Sequence, residues 1–486
     1  MSGNIKLPEE FIKLTEASIG KEASDIYTAH FDKSESGVTS VRLNPFKENV
    51  GGEPLLAGFS GAENVKWCSN GYYLAQRPVF TLDPLFHCGA YYVQEASSMF
   101  VEAALKAMEL EGPVKVLDLC AAPGGKSTHI ASVIGSDSLL VSNEVIRSRS
   151  VILADNMAKW GCGNVVVTNN DPRDFSRLNG FFDVVFVDAP CSGEGMFIKD
   201  HQSIGEWSLA NVELCAARQK RILQDIWSAL APGGYLVYST CTFNHFENDD
   251  NLKYIIDEFG AQTVCAHELL EQFVGKEILK TANGGYQFVP GLVEGEGQFL
   301  AIVRKPSDDG DSSCRCGKFI KESRAGKPDK GGKHAKGGKN ELQKFNYLSG
   351  QEYDFALCGD LVKGYPKALA ADIKALEGAL KIVSSGIAVA NVKGKDFIPH
   401  ADFALQNAVV KMIADGKMPD GISAVEVDRE TALKFLAKEP LVFKEAPMGY
   451  LLLHYKGLGL GFVKNLGNRS NNLLPMARRI RMDINK

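Results

Sequence analysis

The sequence has no long apolar segment and no excess of basic charge. Its 486 residues include no run of about 18 or more apolar residues, the length that a membrane-spanning helix requires. Met1 to Lys6 are not followed by the apolar stretch of a secretory signal peptide. We therefore expect a cytoplasmic protein without a membrane partner. The formal net charge of -5 does not by itself indicate nucleic-acid binding, for which a local basic surface matters more.

The cysteines show no pattern of a disulfide framework or a metal site. There are eleven, an odd number in a long chain, and no secretion signal accompanies them. Cys314 and Cys316 are too closely spaced for a usual zinc site, and further ligands are missing nearby. We therefore expect reduced thiols and no bound metal.

The chain is too long for one ordinary core, so we expect several domains. Apolar strands alternate with helical patterns from about residue 110 to 305, which is typical of a mainly parallel, doubly wound α/β sheet. The predicted strands are Val114 to Leu119, Leu139 to Asn143, Asn164 to Thr168, Phe182 to Asp188, Tyr235 to Ser239 and Phe299 to Arg304. Ligand-binding residues are expected where these strands end.

A loop of small residues follows the first predicted strand. It consists of Cys120, Ala121, Ala122, Pro123, Gly124, Gly125 and Lys126. Glycines allow a backbone to approach a ligand closely, and a helical pattern begins at Ser127. A P-loop is excluded, because that motif requires glycine where this chain has Cys120. The pattern predicts a nucleotide-type site in a βαβ unit.

Two acidic residues follow the next two strands. Glu144 has the spacing from the glycine loop that is expected of an acid binding ribose hydroxyls. Asp171 could accept a hydrogen bond from an adenine amino group, but beside Asn170 and Pro172 it is also ordinary in a turn.

Two cysteines follow the last two parallel strands, Cys191 in Asp188 to Gly193 and Cys241 in Tyr238 to Phe243. Carbon 5 of cytosine becomes a nucleophile when a thiolate adds to carbon 6, and the thiol must later be expelled. Asp188 is placed to hydrogen-bond the cytosine edge during that addition. Two thiols and a carboxylate therefore indicate pyrimidine methylation, with either thiol as the nucleophile.

Short segments around these cysteines have further expected roles. Gly193-Glu194-Gly195 predicts a mobile turn that could admit a flipped base. Glu247 and Asn248 are expected to order the loop of Cys241.

The chain is divided by a segment rich in glycine and lysine. Basic residues recur there at every third position, a period that lines one side of an extended chain: Arg315, Lys318, Lys321, Arg324, Lys327, Lys330, Lys333, Lys336 and Lys339. The segment is either an arm that contacts RNA phosphates or a solvated spacer.

The sequence predicts five divisions of the chain, residues 1–80, 81–305, 306–341, 342–420 and 421–486. Outside the central sheet, it predicts helices from Pro8 to Glu16 and from Glu430 to Ala437, and strands near the C-terminus.

The combined motifs resemble the Sun (Fmu) family of S-adenosylmethionine-dependent RNA cytosine-5 methyltransferases, and within it the RsmF-type bacterial ribosomal RNA enzymes. The resemblance covers most of residues 80–305 and depends on Tyr91 to Ser98, Cys120 to Lys126, Glu144, Asp171, Asp188 to Gly193 and Ser239 to Phe243. The C-terminal module resembles a PUA-like domain through Lys456-Gly457, Leu460 to Lys464, Asn471-Asn472 and Pro475.

The resemblance implies a Rossmann-like methyltransferase core, an N-terminal RNA-contacting extension, an intermediate α+β module and a PUA-like RNA-binding module. It implies that Cys241 attacks carbon 6 and that Cys191 assists elimination. It also implies that Cys120 to Lys126, Glu144 and Asp171 bind S-adenosylmethionine, with Asp188 between cofactor and base.

The expected partner is ribosomal RNA, with 16S RNA as the first expectation, or the small ribosomal subunit. The protein is expected to be a monomer. Two alternatives stay open: a transfer RNA enzyme with the same chemistry, and a catalytically silent ribosome assembly factor. The intact Cys191, Asp188 and Cys241 argue against the silent factor.

Overall fold

The computed structural model describes residues 6–33, 37–50, 53–264, 267–275, 277–307 and 353–484. Two helices come first, α1 (Glu9–Ile19) and α2 (Lys21–Lys33), which confirms the predicted first helix. An antiparallel sheet follows, made of β1 (Ser40–Leu43), β4 (Glu63–Asn64), β5 (Gly71–Tyr73) and β6 (Tyr91–Val93) in the order β4-β5-β1-β6. A separate pair is formed by β2 (Asn49–Val50) and β3 (Glu53–Pro54), and α3 (Pro84–His87) and α4 (Val101–Ala107) lead towards the core.

The centre of the molecule is a ten-stranded mixed sheet. Its parallel strands are β7 (Lys115–Asp118), β8 (Leu139–Asn143), β9 (Val165–Thr168), β10 (Phe182–Asp188) and β11 (Leu230–Thr240). The antiparallel strands are β12 (Gln262–Thr263), β13 (Ile278–Lys280), β14 (Tyr286–Phe288), β15 (Gln298–Arg304) and β18 (Ile382–Ser385). The order is β13-β14-β15-β11-β10-β7-β8-β9-β18, with β12 beside β15. All six predicted strands are present.

Helices cover both faces of this sheet, as a doubly wound fold requires. Alternate residues of β10 show the arrangement, because Val184 and Phe186 pack with α4, α5 (Gly125–Val133) and α6 (Arg147–Trp160). On the opposite face, Val185 and Val187 pack with α7 (Leu209–Trp227), α8 (Asp249–Phe259) and α10 (Ala370–Ala379). The short α9 (Glu268–Glu271) lies against α4. The central strands are buried on both sides and therefore consist almost entirely of apolar residues.

Two smaller sheets follow in the C-terminal part. The first contains β16 (Tyr353–Cys358), β17 (Leu361–Pro366), β19 (Ile387–Lys393) and β20 (Asp396–Pro399), with α11 (Ala401–Ala404) and α12 (Asn407–Ala414) after it. The second contains β21 (Ile422–Glu426), β22 (Gly449–Tyr455), β23 (Leu458–Asn465) and β24 (Ser470–Asn472), with α13 (Arg429–Ala437). The predicted late helix and C-terminal strands are confirmed.

The N-terminal sheet and the last sheet share one hydrophobic core. Val41 and Tyr91 belong to the same buried cluster as Phe435 and Leu453. The two ends of the chain therefore pack together beside the methyltransferase-like core.

The basic residues 315–339 lie outside the described residues, so their proposed RNA contact stays a prediction, as do the domain boundaries. Within the described ranges, no helix combines the length and the apolar character needed to cross a membrane.

Candidate active site

The predicted ligand residues come together at the carboxyl ends of the parallel strands. Asp118 ends β7 and Asp188 ends β10, while Cys241 directly follows β11. Glu144 follows β8, and Asp171 lies three residues after β9. This edge is where ligands bind in open α/β sheets.

The two thiols lie in contact. Cys191 Sγ and Cys241 Sγ are 3.1 Å apart, both are half-buried, and both are free. The hydrogen bond to Cys241, together with burial, raises the pKa of Cys191 well above its usual range. Cys191 therefore favours the protonated form, in which its S–H can donate to the Cys241 sulfur.

A buried glutamate joins the two cysteine loops. Glu194 is fully buried, and its Oε2 accepts hydrogen bonds from the backbone N–H groups of Phe243 (2.6 Å) and Asn244 (3.2 Å). Its Oε1 accepts from Trp207 Nε1 at 3.0 Å and from Asn244 Nδ2 at 2.9 Å. Burial raises the pKa of Glu194 to about 7. The Gly-Glu-Gly turn, expected to be mobile, is thus anchored in this structure by the side chain at its centre.

A second buried carboxylate orders the loop of Cys191. Glu247 Oε2 accepts from Ser192 N at 3.0 Å and from Gln219 Nε2 at 2.7 Å. Gln219 Nε2 also donates to Pro190 O at 3.1 Å. On the other side, Asn248 Oδ1 accepts from Thr240 Oγ1 at 2.5 Å. Glu247 thus fixes the Cys191 loop, and Asn248 confirms the expected ordering of the Cys241 loop.

Asp188 is paired with the lysine of the glycine loop. Lys126 Nζ lies 3.0 Å from Asp188 Oδ2, and Ser239 Oγ donates to Asp188 Oδ1 at 2.8 Å. Burial acts to lower the pKa of Lys126, but the charge and hydrogen bond of Asp188 outweigh it, and the pKa is raised. Lys126 therefore stays charged, and the carboxylate keeps a fixed direction.

The glycine loop fits the adenosyl cofactor that the resemblance implies. Gly124 has φ +119°, a left-handed conformation that favours glycine, and it directly precedes α5. Asp118 Oδ2 accepts from Ser127 Oγ at 2.6 Å, whereas its buried Oδ1 has no hydrogen-bond partner in the described structure. Burial raises the pKa of Asp118 to about 7. An unpartnered buried oxygen beside a glycine turn suits a ligand with hydrogen-bond donors.

The acids beyond the loop are fixed by local contacts. Glu144 Oε1 accepts from Ile146 N at 2.9 Å, and its Oε2 lies 3.3 Å from Arg149. Arg149 also donates to Ala122 O at 2.7 Å, which ties the acid to the loop. Asp171 Oδ1 caps the following turn by accepting from Arg173 N at 3.2 Å. Asp171 thus performs the turn role that the sequence allowed, while lying at the same sheet edge.

One cluster of metal-ligating residue types lies elsewhere, formed by Cys68, Glu102 and His129. Glu102 already accepts from Ser69 Oγ at 2.5 Å and from Lys106 Nζ at 2.6 Å, and it lies 3.2 Å from His129 Nε2. Burial lowers the pKa of His129 to about 4. The cluster is accounted for as a buried hydrogen-bond network.

The sequence indicated the thiols, Asp188 and the glycine loop, but it missed Gln219 and Lys126's pairing with Asp188. Gln219 lies within α7, and the only available signal was a polar residue on an otherwise apolar helix face.

The fold, together with the residues at the carboxyl ends of the parallel strands, defines a Rossmann-like methyltransferase. Models of known families match three parts of the chain: "16S rRNA methyltransferase RsmB/F" over residues 104–304, "N-terminal domain of 16S rRNA methyltransferase RsmF" over 7–96 and "Methyltransferase RsmF PUA domain" over 423–480. The chain is 30% identical to the ribosomal RNA small subunit methyltransferase F of Vibrio vulnificus strain YJ016, with 98% of each chain covered. The same values hold for the enzyme named in this way from Aeromonas salmonicida strain A449.

Solved structures show the same core. A methyltransferase homologue from Pyrococcus horikoshii has 26% identity and a TM-score of 0.52, covering 62% of this chain and 96% of its own. NSun6 from the same organism has a TM-score of 0.50 at 19% identity, covers 62% of this chain and 99% of its own, and supports the fold alone. The chain belongs to the RsmF family, which confirms the resemblance. It is an RNA methyltransferase that uses S-adenosylmethionine.

Proposed function

We propose that the protein methylates carbon 5 of cytosine in ribosomal RNA of the small subunit, through a covalent bond between Cys241 and carbon 6. The observation that carries this proposal is the 3.1 Å contact between the Cys191 and Cys241 sulfurs, beside an Asp188 carboxylate held by Lys126. The names of the relatives and the PUA family match support ribosomal RNA as the substrate.

The first step forms a bond between Cys241 Sγ and carbon 6 of the base. The hydrogen bond from Cys191 stabilises the Cys241 thiolate before attack. Addition of the thiolate displaces the electron pair of the carbon 5–carbon 6 double bond, and in this proposal the Asp188 carboxylate accepts a hydrogen bond from the exocyclic amino group of the base and so orients the ring. Carbon 5 is then the nucleophile, and S-adenosylmethionine supplies an electrophilic methyl group when bound.

Release requires loss of the carbon 5 proton and cleavage of the carbon–sulfur bond. The hydrogen bond to Cys241, burial and the charge of Cys241 all raise the pKa of Cys191. Once the Cys241 sulfur is bonded to carbon it carries no charge and is a weaker acceptor, so burial is the main effect that still raises the pKa. Cys191 can then lose its proton to water and accept the carbon 5 proton. The carbon 5–carbon 6 double bond re-forms, and Cys241 leaves as a thiolate next to the new Cys191 S–H.

The residues proposed to bind the cofactor are Cys120, Ala121, Ala122, Pro123, Gly124, Gly125, Lys126, Glu144, Asp171 and Asp188. The left-handed backbone at Gly124, the unpartnered Asp118 oxygen and the position of Glu144 support this assignment.

The test uses purified protein, methyl-tritiated S-adenosylmethionine and RNA from a bacterial strain that lacks the corresponding gene. Naked 16S RNA, assembled small subunits and bulk transfer RNA are compared, and the labelled nucleoside is identified by mass spectrometry. We expect 5-methylcytosine in the small-subunit RNA. Label in another nucleoside, label only in transfer RNA, or no label in any RNA would overturn the proposal.

A further inference from the structure

A cleft lies beside the candidate active site and takes no part in the chemistry described above. Its volume is about 600 Å³, and it separates the N-terminal sheet from the segment that follows the Cys191 loop. Its walls include Arg77, Gln94, Glu95, Lys199, His201 and Glu296, whereas neither thiol nor the glycine loop lines it. The volume is in the range of sites for small organic ligands, which is roughly 300–1,000 Å³.

The cleft and the Cys241 loop meet at Gly195. A Cβ atom at Gly195 would lie 2.9 Å from Glu296 O and 3.0 Å from Cys241 O. The cleft wall at Glu296 therefore adjoins the backbone of the Cys241 loop.

The acidic groups of the cleft are already occupied. Glu95 accepts hydrogen bonds from the backbone N–H groups of Ser97, Ser98 and Glu296, at 2.9, 2.7 and 2.9 Å. Glu296 Oε1 is paired with Lys199 Nζ at 2.9 Å, and Asp200 Oδ1 accepts from Gln202 N at 3.0 Å. Lys199 thus compensates the charge of Glu296, and the carboxylates of Glu95 and Asp200 are held in place by backbone N–H groups.

Arg77 differs from these groups. It is exposed and forms no ion pair with any residue in the described ranges, and its guanidinium lies 5.5 Å from the centre of the Phe80 ring. Its charge acts on the nearby Glu296 carboxyl, against the burial that raises the pKa of that group, but the two form no direct ion pair in the described structure. The planar guanidinium against an aromatic ring therefore suits a phosphate oxygen.

Gln94 adds an unsatisfied donor. Its side-chain orientation is defined because Oε1 accepts from Arg42 Nε at 2.8 Å, and Gln94 is only 6% exposed. Its Nε2 has no hydrogen-bond partner among the described residues. Such a buried amide N–H is satisfied when a ligand oxygen or ring nitrogen comes within reach.

We propose that this cleft binds the nucleotide adjacent to the target cytosine in the RNA strand, with Arg77 on its phosphate and Gln94 on an acceptor of its base or ribose. The inference rests on the proposed function, because the RNA strand is positioned by the base at Cys241. It makes Arg77 a residue that determines RNA affinity without taking part in methyl transfer.

The test compares the full-length wild type with Arg77→Gln, Arg77→Lys and the control Arg221→Gln, which alters an exposed arginine on α7 away from the cleft. Binding of naked 16S RNA is measured across salt concentrations, and methyl-transfer kinetics are measured with the same RNA. We expect Arg77→Gln to raise the RNA KM about tenfold and to reduce the salt slope of binding by about one, with kcat and the cofactor KM retained. Arg77→Lys should retain most of the salt dependence of RNA binding, and Arg221→Gln should match the wild type.

The outcomes separate the cleft from the chemistry. Unchanged RNA KM and salt slope in Arg77→Gln, with 5-methylcytosine still produced, would overturn the cleft proposal alone. An altered salt slope without any 5-methylcytosine would support an RNA site in the cleft and overturn the proposed function. Loss of kcat with an unchanged RNA KM would also contradict the proposal, because it would make Arg77 part of the chemistry.

Discussion

At the scale of single residues, the candidate site depends on buried carboxylates that never contact the proposed base. Glu194 accepts four hydrogen bonds, from Trp207, Phe243 and two groups of Asn244. Only the ionised carboxylate uses all four donors as an acceptor, yet its complete burial opposes ionisation. The balance gives Glu194 a pKa of about 7, with burial as the largest cause.

Glu194 should make stability depend on pH. Its ordinary pKa is 4.5, so between about pH 4.5 and 7 the folded protein binds one more proton than the unfolded chain. Stability from this group is therefore present at pH 5 and is lost as pH rises through 7. The side chain in Glu194→Gln cannot ionise, so the free energy of unfolding of the variant lacks this pH dependence. The unfolding free energy of the wild type minus that of the variant should therefore be lower at pH 8 than at pH 5, by on the order of 2 kcal/mol.

Urea unfolding at pH 5, 6, 7 and 8 measures this difference. The exposed Glu206→Gln, on the same stretch of chain, serves as the control and should show a constant difference. For Glu194→Gln, an unfolding free energy of wild type minus variant that rises with pH would contradict the raised pKa of Glu194.

The residues that the sequence made predictable were those with an intrinsic chemical signature. The proline before Cys191 restricts the chain locally, and the glycines before Lys126 permit conformations that other residues avoid, so both signatures can be recognised without a fold. Gln219 carries no such signature, because its role comes from Pro190 O and Glu247 on other elements. Glu194 was identified only as part of a turn, since nothing in Gly-Glu-Gly indicates that Phe243 and Asn244 would surround it.

At the scale of elements, two loops from neighbouring parallel strands must approach within van der Waals distance for the sulfurs to touch. Gly195 N donates to Cys241 O at 2.7 Å, and this bond joins the loops directly. The absence of a side chain at Gly195 makes the approach possible, because Glu296 O, Cys241 O and Gly297 O occupy the space of a Cβ atom.

Gly195→Ala should therefore separate the thiols. The backbone oxygens 2.9 to 3.2 Å from the added Cβ cannot move independently, so the loop of Cys191 must shift. We expect methyl-transfer activity to fall at least tenfold, as a displacement of about 1 Å in a reacting group can cost far more than that. Gly205→Ala is the matched control, since a Cβ there meets nothing within 4 Å. Equal activity in the two variants would contradict the packing argument.

The elements themselves were predicted unequally. Strands β7 to β11 were recognisable as continuous apolar runs, because strands buried on both faces need no polar alternation. Strand β18, which begins three residues after the end of α10, was not among the predicted strands. Its pairing with β9 joins residues more than 200 positions apart, and no local pattern encodes such a partner.

At the scale of the whole molecule, the modules are connected through buried and half-buried charged groups as well as a shared core. Arg478, after the last sheet, lies 2.5 Å from Asp155 on α6 and 2.6 Å from Asp402 on α11. Lys47, near the N-terminal sheet, donates to Cys88 O, Lys159 O and Leu405 O, each at 2.8 Å. The N-terminal and C-terminal modules are thus joined to α6 of the central domain by contacts between residues far apart in the described sequence.

Arg478→Met should loosen this assembly. Removing the guanidinium leaves two carboxylates close together without a cation, and Arg478 itself is only 10% exposed. We expect a loss of about 2 kcal/mol of unfolding free energy, less than for a fully buried pair because Asp155 is partly exposed. Thermal unfolding measures the effect, and the exposed Arg481→Met is the control. Equal melting temperatures for the two variants would show that the ion pairs do not stabilise the packing of the modules.

The central claim is that Cys241 attacks the base and Cys191 permits its release. The most direct measurement is a denaturing gel of wild type, Cys191→Ala and Cys241→Ala after incubation with 16S RNA and S-adenosylmethionine, with and without ribonuclease. We predict a slow, ribonuclease-sensitive band of covalently linked RNA in Cys191→Ala alone, and loss of methylation in Cys241→Ala. A band only in Cys241→Ala would reverse the two roles, and the absence of a band in both variants would contradict the covalent mechanism.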